Sequence, residues 1–246
     1  MVVSSDGGMH IATLSEILAG TETWVEPTEG FVIGNGPTCI WSVDPRHTWI
    51  GGENGYVYFA SSVRSGVIVQ DASIATGQDL SDIHALDALH VVAVGALNAT
   101  IYTENGGETW IPITGPSGGV ALNAVWMLSE GTWLIGDDLG GLYYTNDYGE
   151  NWDEVTDISE SLENVDDLQF VDDTVGYMSA RVGADDARIF RTIDGGESWY
   201  ELPEGTTGVM PAADIINSLA VCHDVNNVWG GGMEDGAAAG ILVKAA

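Results

Sequence analysis

Three segments of this chain repeat one pattern at a nearly fixed spacing. Residues 103–110 read TENGGETW, residues 145–152 read TNDYGENW and residues 192–199 read TIDGGESW. All fit Thr-x-Asp/Asn-x-Gly-x-x-Trp. Trp110 and Trp152 are 42 residues apart, and Trp152 and Trp199 are 47 apart. A tandem period of this length leaves few folds open, because each repeat is one supersecondary unit that buries its apolar face against the next. A fourth, stretched copy runs from Thr13 to Trp24 as TLSEILAGTETW, with a single helix-like turn at SEILAG. Trp24 and Trp110 are 86 residues apart, twice 43. That spacing predicts a hidden copy near Gly66, where YVYFASSVRSGVIV keeps the strand before the turn and has lost the Asp and the Trp.

The same two pieces precede each copy. First comes an alternating strand: IWSVD from Ile40, IHALD from Ile83, LNAVW from Leu122, VDDLQF from Val165 and INSLAV from Ile216. A short strand ending in glycine follows: TWIGG, VVAVG, TWLIG, VGYMSARVG and NVWGG. A third strand such as TIYT, GLYYT or RIFRT leads into the turn, and a fourth starts at the Trp. β-Branched and aromatic alternation favours strands over helices. Four strands per period of about 43 residues is the β-propeller signature. The expected fold is therefore all-β: a propeller of about six four-stranded blades, or five if the terminal strands share one closing blade. It forms one domain over 1–246, with approximate blades 1–36, 37–78, 79–118, 119–162, 163–206 and 207–246.

The motif resembles the Asp-box, or BNR repeat, across nearly the whole chain. The layout is similar to the propellers of the photosystem II assembly factor family, of sortilin-type receptors and of sialidases. The residues have structural reasons of their own. Asn105, Asp147 and Asp194 can cap N–H groups of their turns. Gly107, Gly149 and Gly196 can take a positive φ. The hydroxyls of Thr103, Thr145 and Thr192 can bond across the hairpin. Trp110, Trp152, Trp199 and Trp24 can tuck under the turns. The resemblance places these boxes on the outer rim, away from any funnel.

Charge narrows the partners. The chain has 37 acidic and six basic side chains, for a formal net charge of −31, and Lys244 is its one lysine. Hydrophobic residues make up 45%, enough for a packed core. Acid dispersed over such a chain resembles proteins of salt-loving archaea. Carboxylates hold water, and their repulsion is tolerable because molar salt shrinks the Debye length to about 3 Å. With no basic stripe, nucleic acid is not an expected partner, and an anionic membrane repels the chain. MVVSSDGGMH has no basic region, and the sequence contains no long apolar run, so neither a signal peptide nor membrane insertion is expected. The expected location is a virus particle assembled in the cytoplasm, or the cytoplasm itself.

Enzymatic readings find little support. A sialidase needs three arginines converging on a carboxylate, and the resemblance implies that they come from separate blades. Of Arg46, Arg64, Arg181, Arg188 and Arg191, the last three fall within one blade. His10, His47, His84, His90 and His223 form no metal-binding pair. No EF-hand, GxSxG elbow or P-loop is present, and GGGMEDG from Gly230 reads as a loop. Cys39 and Cys222 read as free buried thiols. No catalytic residue, metal or cofactor is expected, surface cations aside.

A binding face is still readable. Loops between second and third strands share one end of the sheets with the blade-to-blade links. They carry Glu53, Asn54, Asn98, Asp137, Asp138, Asp185, Asp186, Glu234 and Asp235. Trp41 and Trp126 on first strands read as core rather than funnel lining. The expected function is a non-enzymatic binding or structural module, a tail, spike or capsid-decoration protein of a virus of salt-loving archaea. Its expected partners are other proteins or host-surface glycans, within a larger assembly of symmetric kind. A cytoplasmic assembly or scaffold factor is the alternative, and a sialidase-type glycosidase the second alternative.

Overall fold

The computed structural model describes residues 2–5, 8–11, 35–61, 68–70, 76–116, 118–183, 186–202, 214–221, 228–234 and 240–245. The chain groups into two compact units, Met1–Ile113 and Thr114–Ala246.

In the first unit, β1 (Val2–Ser5) and β2 (Gly8–Ile11) form an antiparallel pair. A four-stranded sheet follows in simple order: β3 (Pro37–Asp44), β4 (His47–Gly52), β5 (Val57–Ala60) and β6 (Ile68–Gln70). The next sheet runs β7 (Leu80–Ala85), β8 (Val91–Gly95), β9 (Ala99–Thr103) and β10 (Ile111–Thr114). Trp49, Val57, Leu80, Ile83, Ala85, Val91, Ala93 and Ile101 form the core of this unit. The turn expected near Gly66 lies outside the described residues, as do the stretched copy with Trp24, its helix-like turn, and Cys222. The strands flanking Gly66 nevertheless pair antiparallel, with Phe59 opposite Ile68 and Val57 opposite Gln70.

In the second unit, β11 (Leu122–Ser129), β12 (Thr132–Asp137), β13 (Leu142–Thr145) and β14 (Asp153–Glu154) form one sheet in that order. Its neighbour departs from the expected four strands. After β15 (Asp157–Ile158) come β16 (Asn164–Phe170), β17 (Gly176–Arg181), β18 (Ala187–Thr192) and β19 (Ser198–Glu201), and β15 lies parallel along the outer edge of β19. Ser159 fastens it, its N–H donating to Trp199 O at 3.0 Å and its Oγ accepting from Glu201 N–H at 3.0 Å. An edge that would present bare N–H and C=O groups is thus covered by the chain itself. A three-stranded sheet, β20 (Asp214–Val221), β21 (Val228–Glu234) and β22 (Gly240–Ala245), ends the unit. Its main core gathers Leu134, Leu168, Phe170, Met178, Phe190 and Trp199.

The second strands explain their own composition. All five residues of β8 are buried, as are the last five of β4 and of β12 and the first five of β17. A strand covered on both faces has no polar face to show, so it reads as a nearly continuous apolar run, interrupted here only by the buried Thr48, Asp137 and Ser179.

Every first strand of a sheet of three or more strands carries the same irregularity. Besides second skips at Val43 of β3 and Leu128 of β11, the pairing with the second strand skips one residue in the first half of each: Thr38, Ser81, Asn123, Asp166 and Asn217. All five are polar. Such a bulge bends the strand and re-aims the side chains beside it. In β7 and β16 the next position is an aspartate that accepts from the N–H of the residue after it. Asp82 Oδ1 accepts from Ile83 N–H at 2.8 Å, and Asp167 Oδ1 from Leu168 N–H at 2.7 Å. Asp167 Oδ2 also accepts from Leu219 N–H at 2.7 Å, which ties β16 to β20.

Candidate functional site

The two ends of each sheet are built differently. At one end lie the hairpins between first and second strands, together with the three repeated turns. Gly106 N–H donates to Leu89 O at 2.9 Å, Tyr148 N–H to Gly131 O at 3.1 Å, and Gly195 N–H to Thr174 O at 2.9 Å. Each turn is therefore tied to the hairpin of its own sheet.

Inside the turns one network appears three times. The hydroxyls of Thr103, Thr145 and Thr192 donate to Oδ1 of Asn105, Asp147 and Asp194 at 2.8, 2.9 and 2.7 Å. The same hydroxyls accept from the N–H of Gly107, Gly149 and Gly196 at 3.0, 3.0 and 2.9 Å. Oδ1 in turn accepts from the N–H of Thr109, Asn151 and Ser198 at 3.0, 2.9 and 3.0 Å. Hydrogen bonds from the Asn151 side chain and backbone hold the Asp147 carboxyl below its ordinary range. At Asp194 burial acts upward, but hydrogen bonds from Ser198 and Thr192 outweigh it and the net shift is down. Trp199 is fully buried and donates Nε1–H to Gly196 O at 3.1 Å, whereas Trp110 and Trp152 are half-buried. Each turn holds two successive left-handed residues, Gly106–Gly107, Tyr148–Gly149 and Gly195–Gly196, where the sequence pattern pointed to one.

The opposite end of each sheet carries the loop between its second and third strands. Backbone bonds join them to the residues leading into the first strands: Glu53 N–H to Gly36 O at 3.0 Å, Ala96 N–H to Asp79 O at 2.9 Å, and Asp138 N–H to Ala121 O at 3.1 Å. Upon this shared frame the loops differ. Glu53–Gly55 and Ala96–Asn98 are 3-10 turns, which the sequence did not predict. Glu53 Oε2 accepts from Gly36 N–H at 3.1 Å, and Asn54 donates its N–H to Asp79 Oδ1 at 2.8 Å and its side chain to Asn35 Oδ1 at 2.7 Å. Leu97 and Asn98 are both left-handed, at φ 53° and 65°, and Leu97 is 67% exposed. Asp137 is buried, and its Oδ1 accepts from Leu139 N–H at 2.9 Å and Gly141 N–H at 2.7 Å. It shapes its loop from within, while Asp138 beside it is exposed. Asp186 binds Arg188 at 2.7 Å. Glu234 ends β21 at the same end. Asp185 and Asp235 lie outside the described residues.

The arginines of β17 and β18 have local partners. Arg181 lies 3.3 Å from Asp166, Arg188 reaches Asp186 and Glu201, and Arg191 stands 6.0 Å above the Tyr177 ring. Burial pushes the Asp166 carboxyl up against the opposing pull of Arg181. His47 and His90 bond to Asp44 and Asp87 at 2.9 and 3.0 Å in strand-one-to-two hairpins. His84 is buried 4.4 Å from the Trp41 ring, and burial pushes it down to about 3. Trp41 donates Nε1–H to Ala85 O at 3.0 Å, and Trp126 stacks on Phe170 at 5.8 Å, so both pack against neighbouring strands. Cys39 is a free thiol whose pKa burial raises. Among the described residues no group of three His, Cys, Asp or Glu side chains could hold a metal ion.

The chain matches no family profile. It is 28% identical over 118 residues to the photosystem II stability/assembly factor HCF136 of rice, Oryza sativa subsp. japonica. That match spans 46% of this chain and 27% of the rice protein. Among solved structures, YCF48 from Cyanidioschyzon merolae matches 92% of the chain and 74% of its own, at TM-score 0.64 and 15% identity. The WD40 repeats of RRP9 match 99% and 78%, at TM-score 0.65 and 10% identity. The GH74 xyloglucanase from Xanthomonas campestris matches 97% of this chain but 43% of its own, at TM-score 0.62 and 14% identity. At such identities the likeness is one of fold: an all-β chain whose sheets are of the β-propeller kind.

Proposed function

We propose that this chain is a non-catalytic β-propeller, one domain over 1–246, that binds protein partners at the loop ends of its sheets. The observation that carries the proposal is the division between those ends. The turn ends repeat one hydrogen-bond network, whereas the loop ends vary on a constant frame. Conserved frames with divergent loops are how scaffolds commonly present recognition surfaces. The loop carboxylates of Glu53, Asp79, Asp137 and Asp186 are engaged with N–H groups or with Arg188, which suits loop-building better than acid–base chemistry. In this reading the turns are Asp-boxes, and the blades number about six, or five if the termini share one.

The place of work belongs to the same proposal. Acidic excess with a normal apolar content supports a protein working in high salt, in the particle of a virus infecting salt-loving archaea. There it contacts proteins or host-surface glycans within a symmetric assembly. The similarity to the rice stability/assembly factor favours a second reading, a cytoplasmic assembly or scaffold factor. Immunodetection in purified particles, coupled to cross-linking of neighbours, tests the first reading. Presence in particles bound to a structural protein is the expected outcome. Confinement to uninfected cytosol rejects it and leaves the second. A melting temperature that stays fixed between dilute buffer and molar salt removes the salt-adaptation argument.

A further inference from the structure

The sequence contains three Asn-Gly pairs: Asn35–Gly36, Asn54–Gly55 and Asn105–Gly106. In such a pair the glycine nitrogen can attack the asparagine side-chain carbonyl, because no Cβ obstructs its approach. A five-membered succinimide forms and ammonia leaves. The reaction is slow by itself, since a peptide N–H is a very weak acid. A base on that N–H, and donors on the oxygens where negative charge collects, would speed it.

At Asn35–Gly36 all of these are in place. Glu53 Oε2 accepts from Gly36 N–H at 3.1 Å, within the reach of a general base. The buried Tyr58 donates its hydroxyl to Asn35 O at 2.7 Å. That oxygen belongs to the attacking amide, so the bond favours loss of the amide proton. Asn54 donates Nδ2–H to Asn35 Oδ1 at 2.7 Å, the oxygen that turns negative as the nitrogen adds. Glu53 and Asn54 are exposed, so water reaches the group. Asn105 is held otherwise. Gly106 N–H donates to the Leu89 carbonyl at 2.9 Å, which is no base, and Asn105 Oδ1 and Nδ2 are tied to Thr103 and Thr109 within the turn.

We infer that Asn35 is a self-modification site, whose side chain closes onto Gly36 and ends as aspartate or isoaspartate. Gly36 N passes its proton to Glu53 and bonds to Asn35 Cγ. The tetrahedral carbon then expels Nδ2, which takes the proton back from Glu53 and leaves as ammonia. Water opens the succinimide. Addition at Cγ leaves aspartate; addition at the main-chain carbonyl of residue 35 leaves isoaspartate, with one more carbon in the main chain. Either product adds a negative charge beside Glu53, and isoaspartate displaces the Gly36 carbonyl that Glu53 N–H binds. The change occurs once, on the chain itself, and turns over no substrate.

The test incubates the whole folded chain at neutral pH and follows ammonia loss at each asparagine by peptide mass spectrometry. Isoaspartate is read by its specific enzymatic methylation, and Asn105 serves as the internal reference. Asn35 is expected to react roughly tenfold or more faster than Asn105. In the guanidinium-unfolded chain the two rates are expected to converge. Glu53→Gln keeps an oxygen on Gly36 N–H but removes the base, and it is expected to slow Asn35 roughly tenfold at an unchanged melting temperature. Tyr58→Phe keeps the ring, loses the donor and is expected to slow Asn35 as well. Neither variant should change the rate at Asn105. A folded Asn35 no faster than Asn105, a faster Asn35 in the unfolded chain, or an undiminished rate in either variant overturns the inference.

Discussion

The turn end of the β16–β19 sheet and the loop end of the β11–β14 sheet use the same residue type to opposite purposes. At Asp194 an aspartate completes a network that recurs with the same partners in two other sheets. At Asp137 an aspartate shapes a loop found once, accepting from Leu139 N–H and Gly141 N–H. Repetition in three sheets marks what builds the fold, and singularity marks where the chain is free to recognise something. Substitutions at the two ends should therefore differ in kind, with stability lost at one and binding at the other.

The largest effect is expected beneath a turn. Trp199 is fully buried in the main core of its unit, so Trp199→Ala should cost about 3–5 kcal/mol, read as a fall in the denaturant midpoint. A loss below about 1 kcal/mol would mean the turn is not braced by its Trp. Asp194→Ala removes the acceptor for Thr192 and Ser198 and should cost about 1–3 kcal/mol. Asp138→Asn at the loop end should stay within about 0.5 kcal/mol, and an equal cost at both positions would erase the comparison.

Acid should act on the first unit through His84. Its folded pKa lies below the value of an exposed histidine, so the unfolded chain takes up the proton first. Stability is whole above the unfolded pKa and is lost as pH falls from about 6.5 toward 3, at up to about 1.4 kcal/mol per pH unit. In His84→Gln that slope should flatten, as followed by urea melts between those limits. An unchanged slope would assign the acid sensitivity to other groups.

A small effect of opposite sign should come from Leu97. Left-handed backbone costs an L residue roughly 1–2 kcal/mol, and glycine's extra chain entropy offsets part of that. Leu97→Gly should stabilise by about 0.5 kcal/mol in a thermal melt while weakening partner capture. Destabilisation would mean that the exposed leucine is packed after all.

Most of the fold was legible because alternation and spacing are local. The strands β3, β7, β11, β16 and β20 fall where Ile40, Ile83, Leu122, Val165 and Ile216 announced them. Spacing alone put a third–fourth strand pair around Gly66, and β5 and β6 pair there. Non-local features were not legible. The parallel addition of Asp157–Ile158 depends on which edge lies nearby in space, and no residue pattern encodes that. The bulges did leave a trace, a polar residue at Thr38, Ser81, Asn123, Asp166 and Asn217, but alternating strands are full of polar residues. Tyr148 hid the second left-handed position of its turn because glycine is its usual marker, and the Tyr148 ring instead lies over Gly131. At the candidate site, the sequence located the loops but could not tell the buried Asp137 from the exposed Asp138.

The central claim is that loop ends bind and turn ends build. Its most direct measurement is partner capture by cross-linking, with two charge-matched variants compared against the native chain. One carries Glu53→Gln and Asp138→Asn at the loop end; the other carries Glu104→Gln and Glu150→Gln at the turns. At least a tenfold loss of capture is expected for the loop variant at an unchanged melting temperature, and native capture for the turn variant. Native capture by both, or loss confined to the turn variant, would contradict it.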